Sequence, residues 1–214
     1  MNKTKAVLLA VGLVLAMVPA FAQPAILING GVGYIRAELD GMEEYPFGGI
    51  SFYAGTYGLI PLTDFAKFKV GAGINYYSAS AKDEYDVEIT ISAFSLALSP
   101  SLRLSQEEKT YADISLDISI PLSSKATVKV PGYGTQNLDV DDTDTDLAIG
   151  LFGRYNFIGV GIGKVLTGSD AFTTFGATVF IPLSEQFEIS PSISYATGKN
   201  GTQLNIFIGF ECTL

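Results

Sequence analysis

The sequence predicts an all-β fold: a closed antiparallel up-and-down transmembrane β-barrel of ten strands, with eight as the alternative, following an N-terminal signal peptide. Three observations predict it. Segments of about ten residues alternate apolar with small or polar side chains, a period of two that belongs to strands with two unlike faces. The polar series carries few charges. Brief connections alternate with longer ones, and both chain ends fall at the side with the brief ones.

Export comes first in the chain. Lys3 and Lys5 form a short basic region, residues 6–17 are apolar, and Ala20-Phe21-Ala22 supplies a small-x-small cleavage site before Gln23. That order is a signal peptide over 1–22, with Ala20 and Ala22 as the cleavage residues, and the stretch is too short for a spanning helix. Residues 23–214 then form a single barrel domain. Without Lys3 and Lys5, 11 basic residues face 22 acidic ones, a net charge of −11 that argues against a nucleic-acid partner. Cys212 is the lone cysteine, so no internal disulfide is available. Charged residues are 16% of the chain, against about 25% in soluble domains, so a charged coat does not explain its compatibility with its surroundings.

Ten segments read as strands: 25–38, 47–60, 66–79, 86–104, 110–122, 144–155, 158–167, 172–183, 187–197 and 202–213. The third separates most cleanly. Phe68, Val70, Ala72, Ile74 and Tyr76 form one series, while Lys67, Lys69, Gly71, Gly73, Asn75 and Tyr77 form the other. A soluble barrel with an apolar core has the same alternation, so the polar series decides. In the second segment it is Ser51, Tyr53, Gly55 and Tyr57, and in the ninth Ser190, Ser192 and Ser194. Such small neutral groups suit a crowded lumen rather than a water-facing surface, which would be rich in Lys and Glu. Aromatics near strand ends (Tyr45, Phe47, Phe65, Tyr76, Tyr85, Tyr111, Tyr155 and Phe187) are expected to form interfacial girdles. In hydrocarbon no backbone polar group can stay unpaired, so the sheet must close.

The fourth segment changes parity. Val87, Ile89, Ile91 and Ala93 are odd, while Phe94, Leu96, Leu98, Leu102 and Leu104 are even. A one-residue slip swaps faces, so a β-bulge is expected near Ala93-Phe94, which turns Arg103 inward. In that register eight charges converge on the inner face of the periplasmic half: Lys67, Lys69, Arg103, Asp113, Asp117, Arg154, Glu188 and Glu211. Buried charges persist only when paired, so an ion-pair network that plugs the lower lumen is expected; the alternative is solvation of those near turns.

The connections "PLTDFA", "SQEEKT", "YNF" and "PLSEQ" are brief. The other series holds "DGMEEYP", "SAKDEYD", a long extracellular loop over about 123–143, and "GKNG", whose Asn-Gly is a favoured hairpin centre. Its acids include "DVDDTDTD" (139–146), which lacks the central Gly and terminal Glu of an EF-hand. A solvated acidic rim is expected there, with no metal site and no cofactor.

"ISFYAGTYGLIPLTDFAKFKVGAGINYY", "LSPSLRLSQEEKTYADISLDISIP" and "FIPLSEQFEISPSISYATG" resemble the down–turn–up units of the small bacterial outer-membrane β-barrel protein family, the outer membrane protein beta-barrel domain. The resemblance covers the mature chain. It implies a bacterial outer-membrane location, outer-membrane lipids and lipopolysaccharide as surroundings, insertion by the barrel assembly machinery, and a monomer. The last strand, with Leu204, Ile206, Ile208, Phe210, Cys212 and Leu214 alternating with polar or small residues, resembles the family's assembly signal; Phe207 breaks the alternation, and Leu214 stands where the family usually has an aromatic.

Enzymes are demoted because the chain has no histidine, which excludes Ser-His and Asp-His pairs. The barrel enzymes of this kind (omptin-type proteases, the phospholipase, the lipid A deacylase) rely on histidine. Two functions remain. One is a non-enzymatic barrel that supports membrane integrity or makes surface and adhesive contacts through acidic extracellular loops. The other is a narrow porin-like channel for small solutes, for which the Gly-rich inner faces of the first, third and seventh strands leave room.

Overall fold

The computed structural model describes residues 25–41, 44–107, 109–138, 144–167 and 171–214. Thirteen strands occur among them: β1 (Ala25–Leu39), β2 (Phe47–Pro61), β3 (Ala66–Lys82), β4 (Glu88–Leu98), β5 (Ser101–Glu107), β6 (Thr110–Val130), β7 (Gly134–Leu138), β8 (Asp146–Tyr155), β9 (Ile158–Val165), β10 (Thr173–Val179), β11 (Ile181–Pro182), β12 (Phe187–Gly198) and β13 (Gly201–Thr213). β4 with β5, and β10 with β11, each make one stave interrupted by a few residues. β7 is an appendage on β6. The sheet closes as ten antiparallel staves because β13 pairs with β1 and β10 pairs with β12 as well as β9.

The short turns repeat one device. Pro61-Leu62-Thr63 and Pro182-Leu183-Ser184 each end a strand, where proline does least damage to the ladder. The Leu62 and Leu183 amides donate to the Ala66 and Phe187 carbonyls at 2.9 Å, and the Thr63 and Ser184 hydroxyls accept from the amides of Ala66 and Phe187 at 3.0 Å. Short turns and both chain ends mark the periplasmic side. On the other side the β12–β13 hairpin centres on Lys199-Asn200, one residue before the expected Asn-Gly, with Gly198 opposite Gly201. Gly201 sits at φ +144°, a conformation that favours glycine.

Orientation follows from register. The odd residues of β1 to β5 share the inner face, and Phe68 and Ile74 are each 37% exposed on the outer one. The outer face is apolar over eleven residues of β3 (66–76), of the β4/β5 stave (94–104) and of β6 (112–122), about the 9–11 residues a tilted strand needs to span hydrocarbon.

The expected bulge lies elsewhere. The pairing of β3 with β4 and β5 keeps one register from Lys82↔Glu88 to Ala66↔Leu104, so Ala93-Phe94 holds no bulge and Arg103 faces inward with unchanged parity. The irregularity is on the partner strand. Phe94 pairs with Ser123 and Ser95 with Pro121, which makes Leu122 the extra residue, in β6. Ile89 and Ile91 therefore point inward. Phe47, Ala79 and Ala81 are buried beside them, and Ala37, Leu39 and Tyr45 complete an apolar cluster inside the extracellular end. Above the hydrocarbon band the polarity of the wall inverts, with Ser78, Ser80, Thr90 and Ser92 outside.

Two further expectations change. Residues 123–138 are largely a β-ribbon that extends β6 and β7 beyond the band rather than a loop, because Thr127, Val128 and Val130 favour the extended backbone; 139–143 lie outside the described residues, as do Ala20 and Ala22. Phe47 leaves the aromatic girdle for the interior cluster and Tyr111 turns inward, while Phe65, Tyr76 and Tyr155 stay exposed.

Candidate functional site: the charged lumen

Seven of the predicted charges lie in the periplasmic half of the lumen and Asp117 stands at mid-height, and the sheet register brings each to the inner face. They form two groups. In the first, Arg103 on β5 lies in register between Lys67 on β3 and Asp113 on β6, with Lys69 one inward position further along β3. Arg103 Nε and Nη2 donate to Asp113 Oδ1 and Oδ2, both at 2.8 Å, a fork-to-fork pair with little exposure on either side. Lys69 Nζ stands 3.7 Å from Asp113 Oδ2 and 4.3 Å from the centre of the Tyr57 ring. The Tyr57 hydroxyl donates to Glu211 Oε2, which ties β2 to β13 across β1. Arg103 also lies over the Tyr111 ring at 3.7 Å.

In the second group Arg154 on β8 reaches Glu188 on β12. Nη1 and Nη2 donate to Oε1 and Oε2 at 2.9 and 2.6 Å, Nε donates to the Asn156 carbonyl at 2.8 Å, and the guanidinium lies 3.8 Å from the Phe180 ring. The Arg154–Glu188 pair crosses two intervening strands, so it braces the wall along a chord. Asp117 accepts from the Ser115 hydroxyl at 2.9 Å, and Lys67, half-buried, faces the periplasmic mouth. The arrangement is two clusters rather than one eight-membered web.

Rings occupy the space left by the inner-face glycines. A Cβ on Gly33 would lie 2.6 Å from Phe207 Cδ2, and one on Gly73 would lie 2.6 Å from Tyr53 Cε2, closer than real side chains approach. Phe152 lies against Gly161. The glycine faces that promised an open channel on the sequence therefore carry Phe207, Tyr53 and Phe152. Sequence reading placed Tyr53 and Tyr57 in the lumen-facing series but did not find Tyr111, Phe180 or Phe207 as lumen residues; Phe207 left the one available signal, as the break in alternation of the last strand.

Among the described residues, cavities lie in file along the lumen. A vestibule of about 540 Å³ opens at the periplasmic end, a chamber of about 370 Å³ lies in mid-lumen, and a third space of about 390 Å³ lies above it along β8, β9, β10 and β12. Arg103, Tyr111 and Glu211 line both the vestibule and the chamber, so the first ion-pair cluster is the partition between them. In the chamber, Asn29 Oδ1 and the buried Ser101 Oγ have no protein partner. A polar pocket of that size with unpaired groups is suited to ordered water.

No family model matches the chain, and no curated protein matches it in sequence. Solved structures do. The chain is similar to the transport unit of the autotransporter AIDA-I from Escherichia coli, at 9% identity and TM-score 0.50 over 89% of this chain and 90% of that one. It is similar to the β domain of the Bordetella autotransporter BrkA, at 10% identity and TM-score 0.50 over 90% and 100%. The attachment invasion locus protein Ail of Yersinia pestis aligns at 11% identity and TM-score 0.48 over 90% and 100%. At such identities the likeness to the first two concerns the fold alone. The outward apolar band and the closed ten-stave sheet make this chain a small β-barrel of the outer-membrane type, located in the bacterial outer membrane.

Proposed function

We propose that this protein is a non-enzymatic outer-membrane barrel that strengthens the membrane and presents an acidic extracellular rim for surface or adhesive contacts. The observation that carries the reading is the partition. A bidentate Arg103–Asp113 pair, backed by Lys69, Tyr57, Glu211 and Tyr111, stands between the two lower cavities. A buried pair of this geometry is costly to break from one side, about 3–5 kcal/mol, so the lumen stays closed at rest. The absence of histidine removes the usual general base. Glu38, Asp40, Glu44, Asp83, Glu84 and Asp86 supply the acidic rim, and the extended β3, β4 and β6 hold part of it above the membrane.

Planar-bilayer recording on the refolded mature chain tests the reading. Silence is expected. Steady conductance would instead favour a narrow small-solute channel, the reading supported by the three cavities in file. Loss of the protein should raise sensitivity to detergents or lower attachment to surfaces; neither change would count against the surface role.

A further inference from the structure

Asp117 is the lumen carboxylate that the ion pairs leave over. Arg103 is taken by Asp113 and Arg154 by Glu188, and Lys69 stands 3.7 Å from Asp113. Glu211 accepts from the Tyr57 hydroxyl. Asp117 accepts from the Ser115 hydroxyl at 2.9 Å and has no ion-pair partner among the described residues. The mid-lumen chamber therefore sets three carboxylates, Asp113, Asp117 and Glu211, against Lys69 and Arg103. In the space above it the lining charges are Asp117 and Lys164, and Lys164 shares the outward row of Ile149. One negative charge is in surplus.

That charge lies at the centre of the apolar band of β6, which covers 112–122. It also lies where the two spaces meet, since Ser115, Asp117, Phe152, Thr178 and Ser192 line both. A surplus charge between low-dielectric walls focuses its field along the lumen and draws counter-charge toward it. The acids of the extracellular rim, Glu38, Asp40, Asp83 and Asp86 among them, have the same sign. A cation is thus attracted along the whole extracellular approach, whereas the Arg103–Asp113 pair stands across the periplasmic one.

Two further groups select the kind of cation. Ser101, 4% exposed, has a hydroxyl without a protein partner, and Asn29 Oδ1 is a buried acceptor without a donor. Ser101 is in register with Ser115, one inward position from Asp117 along β6. An ammonium group brings three N–H donors to a chamber that is short of them. The rings of Tyr53, Phe152 and Phe207 line the same chamber and offer apolar and π surface to a short hydrocarbon body. A bare metal ion would leave that surface unused, and an anion would meet the surplus charge. The chamber, about 370 Å³, and the space above it, about 390 Å³, each match the roughly 300–1,000 Å³ of small-molecule sites.

We propose that Asp117, together with the unpaired groups of Ser101 and Asn29, forms a luminal site for the ammonium group of a small primary amine that enters from the extracellular side. The site goes beyond the surface role proposed above. Binding requires no opening of the partition, so a conducting barrel would leave the site standing, and a silent barrel does not establish it.

The test uses the refolded mature chain in deuterated detergent, titrated with propylammonium chloride or with 1-propanol, a neutral probe of the same shape. The readout is saturation transferred from the aromatic protons of the protein to the propyl group. Propylammonium should give a saturable effect, and 1-propanol should bind about tenfold more weakly, the share of one charge-assisted hydrogen bond. Asp117→Asn keeps the shape and an acceptor for Ser115 but removes the charge, and should weaken propylammonium by about the same factor. Glu185→Gln, at a periplasmic turn on the vestibule, should leave the affinity unchanged. Equal binding of the two probes, or an Asp117→Asn chain that binds propylammonium as tightly as the native one, overturns the site. Should Asp117→Asn fail to fold, the native chain still decides, because the two probes differ in charge alone.

Discussion

The membrane-embedded part of the barrel and the extension of β3, β4 and β6 above it are built from the same strands with opposite polarity. Inside the band, β3 shows Phe68, Val70, Ile74 and Tyr76 outward and Lys69, Gly71 and Asn75 inward; a few residues further along, Ser78, Ser80 and Lys82 are outside and Ala79 and Ala81 inside. The strand does not slip. The medium changes, from hydrocarbon to water, and the apolar face changes sides with it. On β6 the same reversal is assisted by an inserted residue. Alternation thus reports that a strand has two faces, and only its height relative to the bilayer says which of them should be greasy.

Variants can break this comparison at different depths. The largest effect is expected from Arg103→Ala, which strips the buried Asp113 of both its guanidinium hydrogen bonds and leaves it Lys69 at 3.7 Å: about 3–5 kcal/mol lost in urea unfolding followed by circular dichroism, the chain having no tryptophan. If the variant folds, it should also conduct in bilayers, because it removes the partition; a folded and silent Arg103→Ala would show that the rings alone close the lumen.

Next comes a pair of substitutions on one strand. Leu116→Lys, outward within the band, should cost roughly 2–4 kcal/mol, whereas Thr127→Lys, outward above it, should stay within about 0.5 kcal/mol. Equal costs would place the bilayer edge elsewhere. Phe47→Leu then probes the apolar interior of the extension. A change of shape in a packed cluster is expected to cost about 1 kcal/mol and to raise amide exchange in Ala79–Ala81 while leaving the lower barrel protected.

The smallest effect concerns the 83–87 turn. The Lys82 ammonium beside Asp86 holds its carboxyl below the usual carboxylate range, and the Asp83 carboxylate accepts from the Tyr85 and Val87 amides at 2.9 Å. A carboxylate with a depressed folded-state pKa contributes above its unfolded value and stops contributing as pH falls through the folded one. Exchange at Tyr85 and Val87 should therefore quicken only as pH falls below the usual carboxylate range, with the strands unaffected; a turn equally protected there would mean that the pair does not order it.

Much of this was legible in the chain. Ten staves, closure, the outward band and the inward course of all eight charges follow from a period of two and the need to pair every backbone group in lipid. The bulge was placed one strand away from its true position, because the parity change in 86–104 and the one in β6 look alike on paper: one is a change of surroundings, the other an inserted residue. The aromatic girdle was over-counted for a related reason. Phe47 and Tyr111 lie near strand ends as Tyr76 does, yet they sit on the inner face, where a ring over Arg103 or an apolar cluster serves better than an interface.

By itself, the sequence determined which residues of each strand travel together, since a pleated strand sends neighbours to opposite sides whatever surrounds it. Tertiary structure decided the rest: which carboxylate each guanidinium meets, which rings lie across the glycines, and at what height the faces exchange roles. Those depend on strands distant in the chain coming into register and on the bilayer's thickness, and neither is written in any one segment.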